Sequence, residues 1–147
     1  MNFLAWSLVK IPAVKYAEMQ SHVRGRFPEE ACGLLAGTIT GNEILVHAVL
    51  PVENQLHSPV RFRMEPYDQL KALNWIDEQG YTLVGIFHSH PNGPHRPSQT
   101  DLAEAFYPEA AYLIWYRDET TWACRAYRLS GGAFVEIHLH LIAEEQL

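Results

Sequence analysis

The chain has two cysteines, no apolar run of membrane-spanning length, few basic residues, and no repeat, linker or low-complexity segment. Each scarcity excludes something. Cys32 and Cys124 are too few for a disulfide framework, and reduced thiols in a cytoplasmic protein are expected. Met1 to Lys10 carries no basic stretch ahead of its apolar part and no small-residue cleavage site, so no signal peptide is expected. No segment approaches the roughly 20 apolar residues of a spanning helix, so no membrane is expected as a partner. Eleven Lys and Arg stand against seventeen Asp and Glu, and the basic residues are scattered rather than clustered. With a net charge of −6, nucleic acid has no obvious landing surface. What is present is a chain of 147 residues, 48% hydrophobic, enough for one globular domain over 1–147.

The apolar patterning is that of interleaved strands and helices. Leu4 to Ile11 alternates like a strand, and Pro12 opens a helix to about Arg26, since proline suits the first helical turn. Cys32 to Thr40 and Glu43 to Leu50 flank Gly41-Asn42 as a hairpin. Glu53 to Met64 reads as a loop with a short strand at its end, and Val52 to Met64 is the expected sheet edge. A helix is expected from Pro66 to about Gln79, with Tyr67, Leu70, Leu73 and Ile76 on its apolar face. Thr82 to His88 is a buried strand, Ser98 starts a short helix, and Ala111–Tyr116, Trp122–Leu129 and Phe134–Ile142 form a closing meander. One α/β domain is the result.

Chemistry gathers at the end of the central strand. His88-Ser89-His90 sets two imidazoles two residues apart, so an extended backbone points both to one side. Asp101 follows eleven residues after His90, across a loop stiffened by Pro91, Pro94 and Pro97. Two imidazoles and a carboxylate are a common ligand set for catalytic zinc, which lowers the pKa of bound water to roughly 7. Hydrolysis then requires a carboxylate base and an oxyanion donor.

Each feature has an ordinary counterpart. A second His-X-His pair, His138-Leu139-His140, has no proline loop or following aspartate and reads as a polar strand face. Ser98 to Asp101 also spells a helix capping box, with Ser98 as cap. Cys32 reads as a small buried strand residue, since nothing pairs a histidine with it as a nucleophile would need.

The stretch His88-Ser-His-Pro-Asn-Gly-Pro-His-Arg-Pro-Ser-Gln-Thr-Asp101 resembles the motif of the JAMM (MPN-plus) zinc metalloproteases, His-X-His-Pro followed by Pro-Ser-X-X-Asp. Phe27-Pro-Glu-Glu-Ala-Cys-Gly-Leu-Leu-Ala-Gly37 is similar to the family's second hallmark, 58 residues upstream from Glu30 to His88. The resemblance implies a curved mixed β-sheet flanked by helices, in a layout like that of cytidine deaminases. It implies one zinc per chain on His88, His90 and Asp101, with Glu30 as base and Ser98 as oxyanion donor. The chain leaves no room between Leu102 and Tyr112 for the insertion that linkage-specific deubiquitinases use.

Glu53-Asn-Gln-Leu-His-Ser-Pro-Val-Arg-Phe-Arg-Met and Pro66-Tyr-Asp-Gln-Leu resemble small bacterial members that act on ubiquitin-like sulfur-carrier proteins. The function this implies is hydrolysis of the peptide or isopeptide bond after the C-terminal Gly-Gly of such a carrier. Two other classes remain open at this point. One is a non-catalytic MPN interaction module. The other is a zinc deaminase, which would need a Cys-X-X-Cys pair where this chain's cysteines lie 92 positions apart.

Overall fold

The computed structural model describes residues 6–143, and Met1 to Ala5, where the first strand was expected to begin, lie outside them. Seven strands and three helices follow in the order β1 (Leu8–Pro12), α1 (Ala13–Arg26), β2 (Cys32–Thr40), β3 (Glu43–Val52), α2 (Pro66–Glu78), β4 (Thr82–His90), α3 (Gln99–Ala103), β5 (Ala111–Asp118), β6 (Thr121–Ser130) and β7 (Ala133–Ile142). The expected mixed sheet is present, and it closes. β1 lies parallel to both β3 and β7, so the order β1-β3-β2-β4-β5-β6-β7 returns on itself.

Closure corrects one expectation. Among the described residues every strand has two neighbours, so Val52 to Met64 is not an open sheet edge. Val52 ends β3, and the chain then makes an excursion closed by a single antiparallel bridge between Asn54 and Met64. Pro59 lies within this stretch, and a residue without an N–H cannot donate to a ladder there.

The helices end where the local chemistry dictates. α1 buries Met19 and Val23 and stops at Phe27-Pro28, with Arg24 and Arg26 in its last turn, where positive charge suits the dipole. Pro66 starts α2, and the Glu65 side chain caps it by accepting from the Asp68 N–H. The face of α2 differs from expectation: Ala72 and Ile76 are buried with Leu73 packed beside them, while Tyr67 and Leu70 are exposed. The inward stripe is 69, 72, 73 and 76, a helical i, i+3, i+4, i+7 series whose first member is a glutamine. Gln69 uses that place to donate to the Tyr107 hydroxyl at 3.3 Å.

The sheet separates two apolar clusters. One gathers Leu35, Phe87, Leu113 and Trp115 with Met19 and Val23 of α1. The other gathers Leu34, Ile86, Ile114 and Tyr116 with Ala72 and Ile76 of α2. β4 carries a bulge against β2, since Leu35 pairs with Gly85 but Ala36 with Leu83. Beyond it, alternation sends Phe87 and Ser89 to the first face and Ile86, His88 and His90 to the second. Gly85 and Gly33 let the strands approach, since a Cβ on Gly33 would strike the Phe87 ring and the Leu50 carbonyl.

Candidate active site

β4 runs two residues further than expected, to His90, and so carries both histidines on one face of regular strand. Cys32 of β2 pairs with His88, and the Ser89 N–H donates to the Ala31 carbonyl at 3.1 Å. Continuing that antiparallel register sets Glu30 opposite His90, on the same face as the imidazoles. Glu30 stands just before β2 begins, so its backbone groups need partners outside the ladder. Its N–H donates to the Ser58 carbonyl at 2.8 Å, and its own carbonyl accepts from Asn54 Nδ2 at 3.0 Å. The next N–H, of Ala31, donates to Ser89 Oγ at 2.8 Å.

α3 brings Asp101 to the histidines. His88 Nε2 lies 3.1 Å from Asp101 Oδ1, His90 Nε2 lies 3.1 Å from Oδ2, and the two nitrogens are 3.1 Å apart. These residues are the one group among the described residues with the geometry to hold a metal. The arrangement fits a small tetrahedral cation, since bonds of roughly 2.0–2.1 Å to zinc put neighbouring ligand atoms about 3.3 Å apart. The donor chemistry fits as well. His90 Nδ1 lies 2.9 Å from the Pro94 carbonyl, an acceptor only, so Nδ1 carries a proton and Nε2, which faces Asp101 in the metal-free site, is the nitrogen left to a cation. His88 Nδ1 has no hydrogen-bond partner among the described residues, and that ring is held instead by stacking on Phe62, with centroids 4.6 Å apart.

Protonation states follow from burial and neighbours. Burial holds His88 below the ordinary imidazole range despite the Asp101 carboxylate, so it stays neutral as a ligand must. Burial alone would lower His90, but its hydrogen bonds to Asp101 and Pro94 outweigh this and raise it. For Asp101 burial works against ionisation, and the bonds from His88 and His90 overcome it and hold the carboxylate ionised well below its usual range. Glu30 is 5% exposed, and burial lifts its carboxyl to about 8, with His90 drawing it down and Asp101 pushing it up by lesser amounts.

Ser98 and Asp101 form the capping box that their spacing allowed. Ser98 Oγ accepts from the Asp101 N–H at 3.0 Å, and Asp101 Oδ2 accepts from the Ser98 N–H at 2.7 Å. Cap and site therefore coincide: one carboxylate starts the helix and faces both histidines. Cys32 is buried, donates to the Val52 carbonyl, and is pushed up by burial to about 12, which leaves it an inert thiol. His138 and His140 are exposed on β7, with rings 5.9 Å apart and no carboxylate among the described residues completing a group.

Three contributors, Asn54, Ser89 and Phe62, have no role that their local sequence marks, although Asn54 and Phe62 fall in the family-like stretch 53–64. All act through contacts between segments remote in the chain. Phe62 also lines a cavity of about 200 Å³ beside His88 and Asp101, together with Met64, Ile86, Phe106, Tyr107 and Tyr112. Arg61 reaches Glu104 at 3.1 Å and ties the 54–64 excursion to the end of α3.

Residues 12–130 match the family described as prokaryotic homologs of the JAB domain. A CysO-cysteine peptidase of Mycobacterium tuberculosis is 33% identical over 127 residues, covering 86% of each chain. A probable TtuB-protein conjugate cleaving protease of Thermus thermophilus is 33% identical over 128 residues, covering 86% of this chain and 80% of the relative. Among solved structures, a protein of Desulfitobacterium hafniense is similar with a TM-score of 0.83 and 34% identity, covering 92% of this chain and 94% of that one.

Proposed function

The chain belongs to the family of prokaryotic JAB-domain homologs and is a hydrolase of the peptidase kind, and we propose that it is a zinc peptidase or isopeptidase that cuts after the C-terminal Gly-Gly of a ubiquitin-like or sulfur-carrier protein. The observation that carries this reading is the convergence of His88, His90 and Asp101 with Glu30 on the same sheet face. The family is typically metal-dependent, and these three residues could hold the ion.

When bound, zinc supplies Lewis acidity, which polarises the scissile carbonyl and makes water a competent nucleophile near neutral pH. The chain's own groups do the rest. Glu30, buried on the face of the imidazoles, would be drawn back to its ionised form by a bound cation, and it takes the proton of the attacking water and passes it to the departing amine. Ser98 Oγ spends a lone pair on the Asp101 N–H and keeps its O–H to donate to the oxyanion. His90, fixed through Pro94, and His88, fixed by Phe62, hold ligand geometry without reorganising during the reaction.

Support for the substrate class comes from the relatives, whose names speak of a CysO-cysteine bond and of TtuB conjugates. A glycine tail suits a buried metal site, since the backbone can approach closely where no side chain intervenes. The reading is tested by incubating the purified protein with the ubiquitin-like carriers of its host and following their C-termini by mass spectrometry. Trimming just after Gly-Gly is expected, with severe slowing when the last glycine is alanine and no cleavage when it is valine. Equal cleavage of a valine tail, or cutting of unfolded casein at many sites, would replace this reading with a broad peptidase. Carrier binding with no turnover would replace it with an interaction module.

A further inference from the structure

We propose that Asn54 is a positioning residue of the active site, fixing Glu30 and the Phe62 support of His88 through one buried amide. The inference rests on Glu30 being the base, as proposed above.

Asn54 is 4% exposed. A primary amide has two N–H donors and an oxygen with two lone pairs, and here all four are used. Nδ2 donates to the carbonyls of Glu30 and Arg61, each at 3.0 Å. Oδ1 accepts from the N–H groups of Leu56 and Arg63, each at 3.1 Å. The partners fall in two places. One is the backbone of Glu30, 24 residues away in sequence. The other three lie within the 55–63 excursion, at its beginning and its end.

This matters because the excursion has almost no regular structure to hold it. The Asn54–Met64 bridge and the Gln55 N–H to Arg63 carbonyl bond at 2.7 Å close its neck. Beyond the neck, the Asn54 side chain ties both limbs together from inside. The excursion then returns two supports to the site. The Ser58 carbonyl takes the Glu30 N–H, and the Phe62 ring stacks on His88. Both backbone polar groups of Glu30 are therefore satisfied by Asn54 or by the loop Asn54 anchors. Only glutamine shares this planar set of two donors and two acceptors, and its stem is one methylene longer. Aspartate keeps the acceptors but turns an oxygen toward the carbonyls of Glu30 and Arg61, and leucine keeps only the shape.

A merely structural amide would contribute stability and nothing else. The test compares wild type, Asn54→Ala, Asn54→Asp and Glu30→Gln on a carrier substrate, with each enzyme assayed well below its own melting temperature. For the Asn54 variants kcat is expected to fall roughly 10- to 100-fold, the scale of a displacement near 1 Å, with KM within about threefold of wild type and one zinc retained. The zinc off-rate to a chelator should rise in both, since the Phe62 support of His88 loosens. Wild-type hydrogen exchange gives a readout that needs no variant: the amides of Glu30, Leu56 and Arg63 should open together as one unit. Unchanged kcat in a folded Asn54 variant, or independent opening of Glu30 and the two loop amides, overturns the proposal. Should Glu30→Gln remain fully active, the assignment of the base fails instead, and the two failures are told apart.

Discussion

Replacing Glu30 by glutamine separates catalysis from stability, because the same burial that tunes the carboxyl also strains the fold. In the metal-free protein the folded state raises this carboxyl from 4.5 to about 8, chiefly through burial. Within that window the folded protein holds a proton that the unfolded chain has already released. The folded state therefore gains stability that is complete below 4.5 and is lost as pH rises through about 8. At about 1.4 kcal/mol per pH step, the loss across the window is up to about 5 kcal/mol. Glutamine has no proton to lose, so Glu30→Gln should escape this loss while keeping nearly the same shape. The assay is urea unfolding of both proteins, stripped with EDTA, at pH 5, 7 and 9. Their difference in unfolding free energy cancels the titrating groups that do not feel Glu30 and should move in favour of the variant as pH rises, by about 4 kcal/mol in all. Reloaded with zinc, the variant should keep one ion per chain and lose roughly 10²–10⁴-fold in turnover. A stability difference that stays constant with pH would refute the burial argument. Near-normal turnover would refute the base.

The other outcomes follow from the same geometry. Elemental analysis should find one zinc per chain, lost in His90→Ala and retained in His138→Ala; loss in the second variant instead would move the site to β7. Ser98→Ala should lower the melting temperature by removing a cap worth about 1 kcal/mol, and should also reduce kcat roughly 10²–10³-fold through the lost oxyanion donor. A lower melting temperature with unchanged kcat would leave Ser98 as a cap alone.

The sequence by itself determined the candidate metal-binding group and most of the elements. A strand written His-X-His must present both rings on one side, whatever surrounds it, and a proline-stiffened loop ending in Ser-X-X-Asp must start a helix. Alternation and turn residues likewise placed β2, β3 and the closing meander within a few residues of where they lie. Only the tertiary structure decided the rest, because it depends on partners far apart in the chain. Closure of the sheet needs β1 between β3 and β7, and no local pattern in Leu8–Pro12 encodes two neighbours. The inward stripe of α2 departs from the apolar pattern because Gln69 belongs to it, and its contact with Tyr107 is visible only in three dimensions. Glu30 carries no mark of a high pKa in its local sequence; burial creates it, with a smaller push from Asp101 and against the pull of His90. Asn54 is the clearest case. In the sequence it is one polar residue in a loop, and its importance arises only when folding removes water from all four of its hydrogen-bonding positions and leaves protein backbone to satisfy them.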